Sequence, residues 1–143
     1  MILVDANILL YARNSTIDLH AKSRDWLDEK LNGIAPPGLS WPSFLGFLRI
    51  ATNPRAFRSP LTMRAAWEQV SSSLSAETVS APVASERHIA VLDKLLALPR
   101  IYGNLVPDAQ LAALAIEHGL TMCSTGGDFA RSPDLTRLNP LAA

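Results

Sequence analysis

The stretch VPDAQLAALAIEHGLTMCST, residues 106–125, carries the clearest fold signal in the chain. Its first part predicts a helix, since Leu111 and Leu114 recur at helical spacing and Pro107 falls in the first turn. Gly119 is suited to the C-terminal cap of that helix. The residues LTMCST that follow predict a short buried strand. A helix that leads directly into an apolar strand is typical of an α/β protein with a mainly parallel sheet.

The N-terminus repeats this alternation in the opposite order. Residues 1–4, MILV, predict a short buried strand, and DANILLYARN, residues 5–14, predicts a helix. Asp5 stands at the junction. If the first strand is central, its carboxylate is delivered to the carboxyl edge of the sheet, where functional crevices of parallel sheets lie.

Further elements fill the middle and the end of the chain. Helices are predicted at 17–33 with Gly33 as the cap, at 41–53 with Ser40 as the N-cap and Pro42 in the first turn, and at about 61–75 and 84–98. ETVSAP, residues 77–82, is a candidate strand, and LTRLNP, residues 135–140, a candidate edge strand. The order predicts an α/β sandwich whose mainly parallel central sheet is flanked by helices.

Composition and length fit one compact unit. The 143 residues are 48% hydrophobic and 18% charged, so we expect a single domain over 1–143. No run approaches the roughly 20 apolar residues of a membrane span. The single cysteine, Cys123, excludes an internal disulfide and lies in an apolar run. We therefore expect a cytoplasmic protein with Cys123 in its core.

Charge is unevenly distributed although the formal net charge is zero. No acidic residue occurs between Glu29 and Glu68, and that interval contains four arginines: Arg49, Arg55, Arg58 and Arg64. They are either solvated surface residues or a face that contacts phosphate or carboxylate, for which arginine is well suited.

Three aspartates are candidates for a site, and each has a structural alternative. Asp5 could simply cap the helix that follows it, and Asp108 could complement the dipole of its helix. Asp128 follows the two glycines of STGGDF, residues 124–129, and could belong to an ordinary turn. The small residues after Asp108 allow its helix to approach another element closely, which would bring Asp108 near Asp5.

The helix predicted at 41–53 has an unusual second face. Gly46, Arg49 and Asn53 lie on one side of it. Glycine inside a helix costs about 1 kcal/mol relative to alanine. Gly46 therefore marks either close packing or a site from which a side chain is missing.

Four segments together resemble the PIN-domain toxins of the VapC family, in the same order and over nearly the whole chain: MILVDANILLYA, LSWPSFLGFLRIATNPR, LVPDAQLAALAIEHGL and STGGDFARSPDLTRLNPL. The resemblance implies a PIN-like three-layer sandwich. It also implies a Mg²⁺- or Mn²⁺-dependent ribonuclease that is held inactive by a VapB-like antitoxin.

In that family, acidic residues gather at the carboxyl edge of the strands to hold the metal, and two of them match Asp5 and Asp108. The family's glutamate in the third helix falls at Gly46, where many toxins with this motif also lack it. The first aspartate of its T-x-D-x-D-F segment falls at Gly126, and the second at Asp128. The resemblance thus implies Asp5 and Asp108 as metal ligands, Asp128 as an assisting residue, and two usual acidic positions left empty.

The resemblance also implies partners. We expect an RNA substrate, with tRNA and rRNA as candidates, contacted by Arg49, Asn53, Arg55 and Arg58, although Arg49 and Asn53 could instead make local structural hydrogen bonds. A homodimer is expected, and an antitoxin arginine would suit the acidic pocket. The alternative is a catalytically impaired PIN domain, with Gly126 in place of an acid, that retains antitoxin and RNA binding. A receiver-like phosphoacceptor is disfavoured, because Asp5 has no acidic neighbour and no lysine follows Lys94.

Overall fold

The computed structural model describes residues 1–15, 17–33, 37–75, 79–125 and 132–142, which contain three strands and six helices. The strands are β1 (Ile2–Val4), β2 (Thr121–Cys123) and β3 (Arg137–Leu138). The helices are α1 (Ala6–Arg13), α2 (His20–Leu31), α3 (Trp41–Ala51), α4 (Met63–Ser75), α5 (His88–Leu96) and α6 (Leu105–Glu117). Within the described residues no helix is long and apolar enough to cross a bilayer.

The sheet has the order β1-β2-β3, and both pairings are parallel. Val4 pairs with Cys123 in the first, and Met122 pairs with Arg137 in the second. β3 lies at the edge beside β2, which confirms the edge strand predicted at 135–140. The parallel sheet predicted from the alternation of strands and helices is confirmed.

Two isolated bridges extend the sheet beyond β1. Gly38 bridges Leu3, and Ser80 bridges Gly38, both in the parallel sense. Ser80 lies in the segment predicted as a strand at 77–82, but residues 76–78 lie outside the described part of the chain. The described residues of that segment form one bridge and no named strand.

Side chains of the strands alternate between two cores, and this alternation creates three layers. Val4 and Cys123 point into a core formed with α1, α2, α3 and α4. Leu3 and Met122 point into a second core formed with α5 and α6. The three-layer sandwich is confirmed, and so is the core position of Cys123. Burial raises the pKa of the Cys123 thiol to about 11, so this thiol stays protonated.

The cap of α6 matches the sequence prediction. Gly119 has a φ of +66°, the left-handed conformation that favours glycine. Its N–H donates to Ile116 O at 3.2 Å, and the N–H of Leu120 donates to Ala115 O at 2.8 Å. This pair of bonds is the Schellman motif. It turns the chain from α6 directly into β2.

Gly33 follows the capping residue of α2 just as Gly119 follows that of α6, and its N–H donates to Lys30 O at 3.2 Å, but Gly33 lacks the left-handed φ of Gly119. α2 begins at His20 and ends at Leu31, and Asn32 is its capping residue. The Asn32 side chain donates to Asp28 O at 2.8 Å. An asparagine that satisfies a terminal carbonyl through its own amide needs no glycine at that position.

Three other helices are shorter than predicted. α3 ends at Ala51 rather than 53, and α4 begins at Met63. α5 begins at His88 rather than 84, and a physical reason is visible there. The N–H of Ser85 donates to Glu117 Oε1 at 2.6 Å, which fixes the segment before His88 as a loop against α6. The N-cap position of Ser40 is confirmed, although its side chain makes no capping bond.

Candidate active site

Asp5 occupies the carboxyl end of β1 and is almost completely buried, with 6% of its surface exposed. Its N–H donates to Cys123 O at 3.0 Å, which continues the ladder between β1 and β2. Its Oδ1 accepts a 2.7 Å hydrogen bond from the N–H of Ala6, so Asp5 is the N-cap of α1. The capping role and the location at the sheet edge, which the sequence left as alternatives, coincide in one residue.

The second oxygen of Asp5 is held by Ser124. Ser124 Oγ donates to Asp5 Oδ2 at 2.7 Å, and both side chains are buried. Ser124 follows β2 directly, and its N–H donates to Leu138 O at 3.0 Å. Sequence reasoning did not single out Ser124. The available signal was its position, because it follows β2 just as Asp5 follows β1.

The electrostatic environment of Asp5 suits a cation. Burial raises the pKa of the Asp5 carboxyl above its ordinary value of 3.8, and the hydrogen bonds from Ser124 and Ala6 oppose that rise. No lysine, arginine or histidine of the described residues forms an ion pair with Asp5. A buried carboxylate whose two oxygens are oriented by donors is a strong oxygen ligand for a divalent ion.

Asp108 lies in the first turn of α6 and is half-buried. The neighbouring residues Pro107 and Gln110 line a groove of about 440 Å³ together with Gly46 and Arg49 of α3. α3 in turn touches the start of α1, since a Cβ on Gly46 would lie 3.0 Å from the Cβ of Ala6. The first turn of α6 therefore faces the same part of α3 that packs against the residue after Asp5.

Gly46 is explained by close packing. At 3.0 Å from the Ala6 Cβ, an added Cβ would be tighter than ordinary van der Waals contact, so a side chain at 46 requires α1 and α3 to shift by a few tenths of an ångström. Of the two interpretations of Gly46, close packing has direct structural support.

The predicted substrate-contacting residues separate into two groups. Arg49 is exposed and lines the groove beside Gly46. Asn53 Oδ1 accepts from the N–H of Arg55 at 2.9 Å, which favours a structural role for Asn53 in the turn after α3. Arg55 and Arg58 are exposed on that turn, and none of Asn53, Arg55 and Arg58 lines the groove.

Two of the predicted positions, Gly126 and Asp128, lie outside the described residues. Among the residues that the structure does describe, no three His, Cys, Asp or Glu side chains are grouped closely enough to hold a metal ion. Asp5 lies at the sheet edge, and Asp108 lies in the first turn of α6, between Pro107 and Gln110 of the groove in the sequence.

A second buried acid, Glu117, was not anticipated from the sequence. It ends α6, and its side chain is fully buried. Oε1 accepts from the N–H of Ser85 at 2.6 Å, and Oε2 lies 2.7 Å from His88 Nδ1. Burial alone would raise the pKa of Glu117, but the bonds from Ser85 and His88 outweigh it and hold the pKa below its ordinary value of 4.5. This cluster fastens the loop before α5.

Comparison with known proteins places this geometry in a family. The model of the PIN domain matches residues 2–135. Ribonuclease VapC37 of Mycobacterium tuberculosis is 41% identical over 131 residues, which cover 92% of this chain and 91% of that protein. The chain belongs to the VapC family of PIN-domain ribonucleases. Ribonuclease VapC33 of the same species is 37% identical over 141 residues, 99% of each protein.

Solved structures agree with the VapC-type fold. VapC20 of Mycobacterium tuberculosis, described as a sarcin-ricin loop cleaving toxin, superimposes with a TM-score of 0.69 at 17% identity over 91% of this chain and 93% of that one. VapBC2 from Rickettsia felis, bound to a DNA fragment from its promoter, gives a TM-score of 0.64 at 20% identity over 96% and 98%. FitAcB from Neisseria gonorrhoeae gives 0.66 at 19% identity over 98% of each chain.

Proposed function

We propose that this VapC-family chain is the toxin of a type II toxin–antitoxin system and cleaves RNA as a metal-dependent endoribonuclease. The observation that carries the proposal is the buried Asp5 carboxylate, oriented by Ser124 and Ala6 and without a basic partner among the described residues. The two hydrogen bonds orient this carboxylate but bring it no positive charge from the described residues, and a divalent cation would supply that charge.

The cation is Mg²⁺ or Mn²⁺ in this proposal, because both take oxygen ligands. Asp5 and Asp108 would hold it, which fits a site completed by water and substrate phosphate. When bound, such an ion neutralises charge on the scissile phosphate and lowers the pKa of a water molecule. Ser124 and Ala6 keep the Asp5 oxygens in fixed positions, and we assign Asp128 an assisting role.

The substrate in this proposal is an RNA, with tRNA and rRNA as candidates, and it is bound through its phosphates. Arg49 supports this assignment because it lines the groove beside Gly46, and its guanidinium can donate two parallel hydrogen bonds to one phosphate. Arg55 and Arg58 are exposed farther along the chain and would contact phosphates more distant from the cut. Asn53 contributes by holding the turn that presents Arg55.

The partners in this proposal are an antitoxin and a second copy of the chain. The structural neighbours VapBC2, FitAcB and FitAB support the antitoxin as a partner. Support for a homodimer comes from three large apolar side chains that are exposed beside the groove containing Arg49, so that the second copy would border this groove and leave Arg49 to RNA: Leu45, Leu96 and Val106. Apolar side chains gathered at one surface commonly mark a contact with another protein.

Cleavage of structured RNA by the purified chain in Mg²⁺ or Mn²⁺ tests the proposal. We expect cleavage that stops with a chelator and in Asp5→Asn, while the matched variant Asp18→Asn, an exposed aspartate, retains it. Cleavage that persists in Asp5→Asn would contradict the assignment of Asp5. Cleavage that appears only after Gly126→Asp would favour the impaired alternative.

A further inference from the structure

The peptide unit between Val4 and Asp5 is held at both of its polar ends. Ser43 Oγ donates a 2.6 Å hydrogen bond to Val4 O, and the N–H of Asp5 donates to Cys123 O at 3.0 Å. Because a peptide unit is planar, fixing its carbonyl and its N–H fixes the plane that leads into the Cα of Asp5. Two separate elements, α3 and β2, therefore hold the backbone directly before the Asp5 side chain.

The Ser43 hydroxyl takes the place of a backbone donor in the sheet. The N–H of Gly38 donates to Ile2 O at 2.7 Å, and the N–H of Val4 donates to Gly38 O at 3.0 Å. This is the bonding pattern of a parallel ladder, and the next bond of that pattern would run from the N–H of Ser40 to Val4 O. Val4 O accepts from a side chain of α3 instead. The ladder therefore ends on a helix at the last residue of β1.

Ser40 supports the Ser43 hydroxyl. Ser40 occupies the predicted N-cap position of α3, but its side chain makes no capping bond, and its Oγ lies 3.4 Å from Ser43 Oγ. A hydroxyl has one proton to donate, and that of Ser43 goes to Val4 O, so Ser40 is the donor of this pair. Both serines are buried, with 0% and 1% of their surface exposed, so water does not compete for these bonds.

α3 also contacts the residue that follows Asp5. A Cβ on Gly46 would lie 3.0 Å from the Cβ of Ala6, so the two backbones approach closely there. Ser43 and Gly46 are three residues apart and are neighbours on the surface of α3. One side of the helix thus touches the residue before Asp5 and the residue after it.

We propose that Ser43 is a positioning residue for metal binding, and that its bond to Val4 O sets the direction of the Asp5 carboxylate. The proposal rests on the proposed function, since it takes Asp5 as a metal ligand. Without the hydroxyl, the peptide before Asp5 is no longer held at its carbonyl. The Asp5 oxygens then depart from the directions that a divalent ion requires of its ligands.

Mn²⁺ binding to serine variants tests the proposal. We expect Mn²⁺, titrated by calorimetry, to bind Ser43→Ala about 10- to 100-fold more weakly than the unsubstituted chain. Ser43→Thr keeps a hydroxyl and should recover most of the affinity. Ser43→Cys adds no methyl group but is a weaker donor, and it should bind with intermediate affinity. Ser23→Ala is the matched control and should bind normally, because Ser23 is also buried in a helix and its hydroxyl has no hydrogen-bond partner among the described residues.

Cleavage kinetics separate positioning of the metal ligand from binding of RNA. Ser43→Ala should raise the Mn²⁺ concentration for half-maximal cleavage by the same factor as the Mn²⁺ dissociation constant. At limiting Mn²⁺ it should lower kcat and leave the KM for RNA unchanged, since the exposed side chains proposed to contact RNA remain in place.

Amide hydrogen exchange in the metal-free chain gives a readout that needs no metal. A peptide released at Val4 O weakens the bond from the N–H of Asp5 to Cys123 O. We expect the Asp5 N–H to exchange about tenfold faster or more in Ser43→Ala. Exchange of the Leu120 N–H, which donates to Ala115 O in the cap of α6, should be unchanged.

Several results would overturn the positioning role. Mn²⁺ affinity of Ser43→Ala equal to that of the unsubstituted chain would do so even with a lower Tm, because Ser43 would then only stabilise the fold. Weaker Mn²⁺ binding without faster exchange at Asp5 would show that the hydroxyl does not act through the peptide. Ser43→Thr and Ser43→Cys that both bind as weakly as Ser43→Ala would exclude the hydroxyl as the cause.

Failure of the Ser43 role and failure of the proposed function give different results. A chain that cleaves RNA with Mn²⁺ and is indifferent to Ser43→Ala contradicts the Ser43 role alone. A chain that binds Mn²⁺ through Ser43-dependent geometry and cleaves no RNA supports the Ser43 role and contradicts the ribonuclease assignment. An unsubstituted chain that binds no Mn²⁺ contradicts both.

Discussion

Ser124 donates a 2.7 Å hydrogen bond to Asp5, although 119 residues separate the two in the sequence. The bond joins the ends of two neighbouring parallel strands, since Val4 pairs with Cys123. Burial raises the pKa of Asp5 and the Ser124 hydroxyl opposes that rise. The Ser124 hydrogen bond therefore favours the ionised form of Asp5, which is the form that binds a cation.

Ser124→Ala should weaken metal binding and move the pH dependence of cleavage. Without the hydroxyl the pKa of Asp5 rises further, so the acidic limb of the cleavage profile shifts to higher pH. We expect metal affinity to fall about 10- to 100-fold, as is typical when a group that orients a ligand is removed. Mn²⁺ titration and a pH profile measure both effects.

Ser124→Thr is the matched control for that prediction, because it retains a hydroxyl at the same position. It should restore a large part of the affinity and the original acidic limb. A profile for Ser124→Ala that coincides with that of the unsubstituted chain would show that Ser124 has no part in ionising Asp5.

Asp5→Asn should abolish cleavage and yet stabilise the metal-free chain at neutral pH. The folded-state pKa of Asp5 is raised, so the carboxyl favours folding when protonated, and this stability is lost as pH rises above the ordinary value of 3.8. Asparagine avoids the cost of the buried charge. About 1 kcal/mol of stabilisation corresponds to roughly 2–4 °C in Tm for a chain of this size.

Thermal unfolding in the presence of a chelator, over a range of pH, measures the difference in stability between Asp5→Asn and the unsubstituted chain. The gap in Tm between Asp5→Asn and the unsubstituted chain should be largest near neutral pH and should narrow toward pH 4. Asp18→Asn, at an exposed position, should show no such gap. A lower Tm for Asp5→Asn at pH 7 would mean that the capping and serine bonds outweigh the cost of burial.

The sequence predicted most of the scaffold because the signals were local. The helical spacing of the apolar residues predicted α6, and Gly119 predicted its cap because the left-handed conformation of that position favours glycine. Asp5 was identified because it follows an apolar strand. Each of these features depends on residues within one or two helical turns.

Contacts between distant segments could not be predicted in the same way. Ser124 contacts Asp5 only because β1 and β2 pair in one particular register. Glu117 fixes the start of α5 from 29 residues away through His88. The reason for Gly46 was left open because its neighbour, Ala6, belongs to another helix. Sequence patterns indicate which residues are unusual, but the reason for each becomes clear only from its contacts in the folded chain.

Glu117→Gln should lower stability without changing cleavage. The folded-state pKa of Glu117 is lowered, so its stabilising contribution is present above the ordinary value of 4.5 and is lost as pH falls through the folded-state value. Loss of a buried, charge-assisted network costs about 1–3 kcal/mol. Glu117 is nine residues along α6 from Asp108, roughly 14 Å, so the site should be unaffected.

Thermal unfolding at pH 7 and at pH 4 measures the Glu117 contribution. The deficit of Glu117→Gln should be clear at pH 7 and smaller at pH 4, where the unsubstituted chain begins to lose the same contribution. Glu86→Gln is the matched control, because Glu86 is exposed in the same loop. An equal deficit at both pH values would attribute the loss to shape and not to the charge of Glu117.

Gly46→Ala should fail to stabilise α3, although alanine normally gains about 1 kcal/mol over glycine inside a helix. The added Cβ would lie 3.0 Å from the Ala6 Cβ, and α1 and α3 would have to shift by a few tenths of an ångström to relieve the contact. A double-mutant cycle with Ala6→Gly isolates this contact, because the second substitution removes the opposing carbon. We expect Gly46→Ala to be neutral or destabilising alone and stabilising in the Ala6→Gly background.

Chemical denaturation of the four chains in that cycle gives the coupling energy between positions 6 and 46. A favourable coupling of about 0.5 kcal/mol or more is the expected result for residues in direct contact. Additive effects would mean that the helices already tolerate a side chain at 46. Ala6 adjoins Asp5, so the rate of RNA cleavage by the same four chains shows whether the spacing of α1 and α3 positions the Asp5 carboxylate. Gly46→Ala should lower this rate, and adding Ala6→Gly should restore part of it.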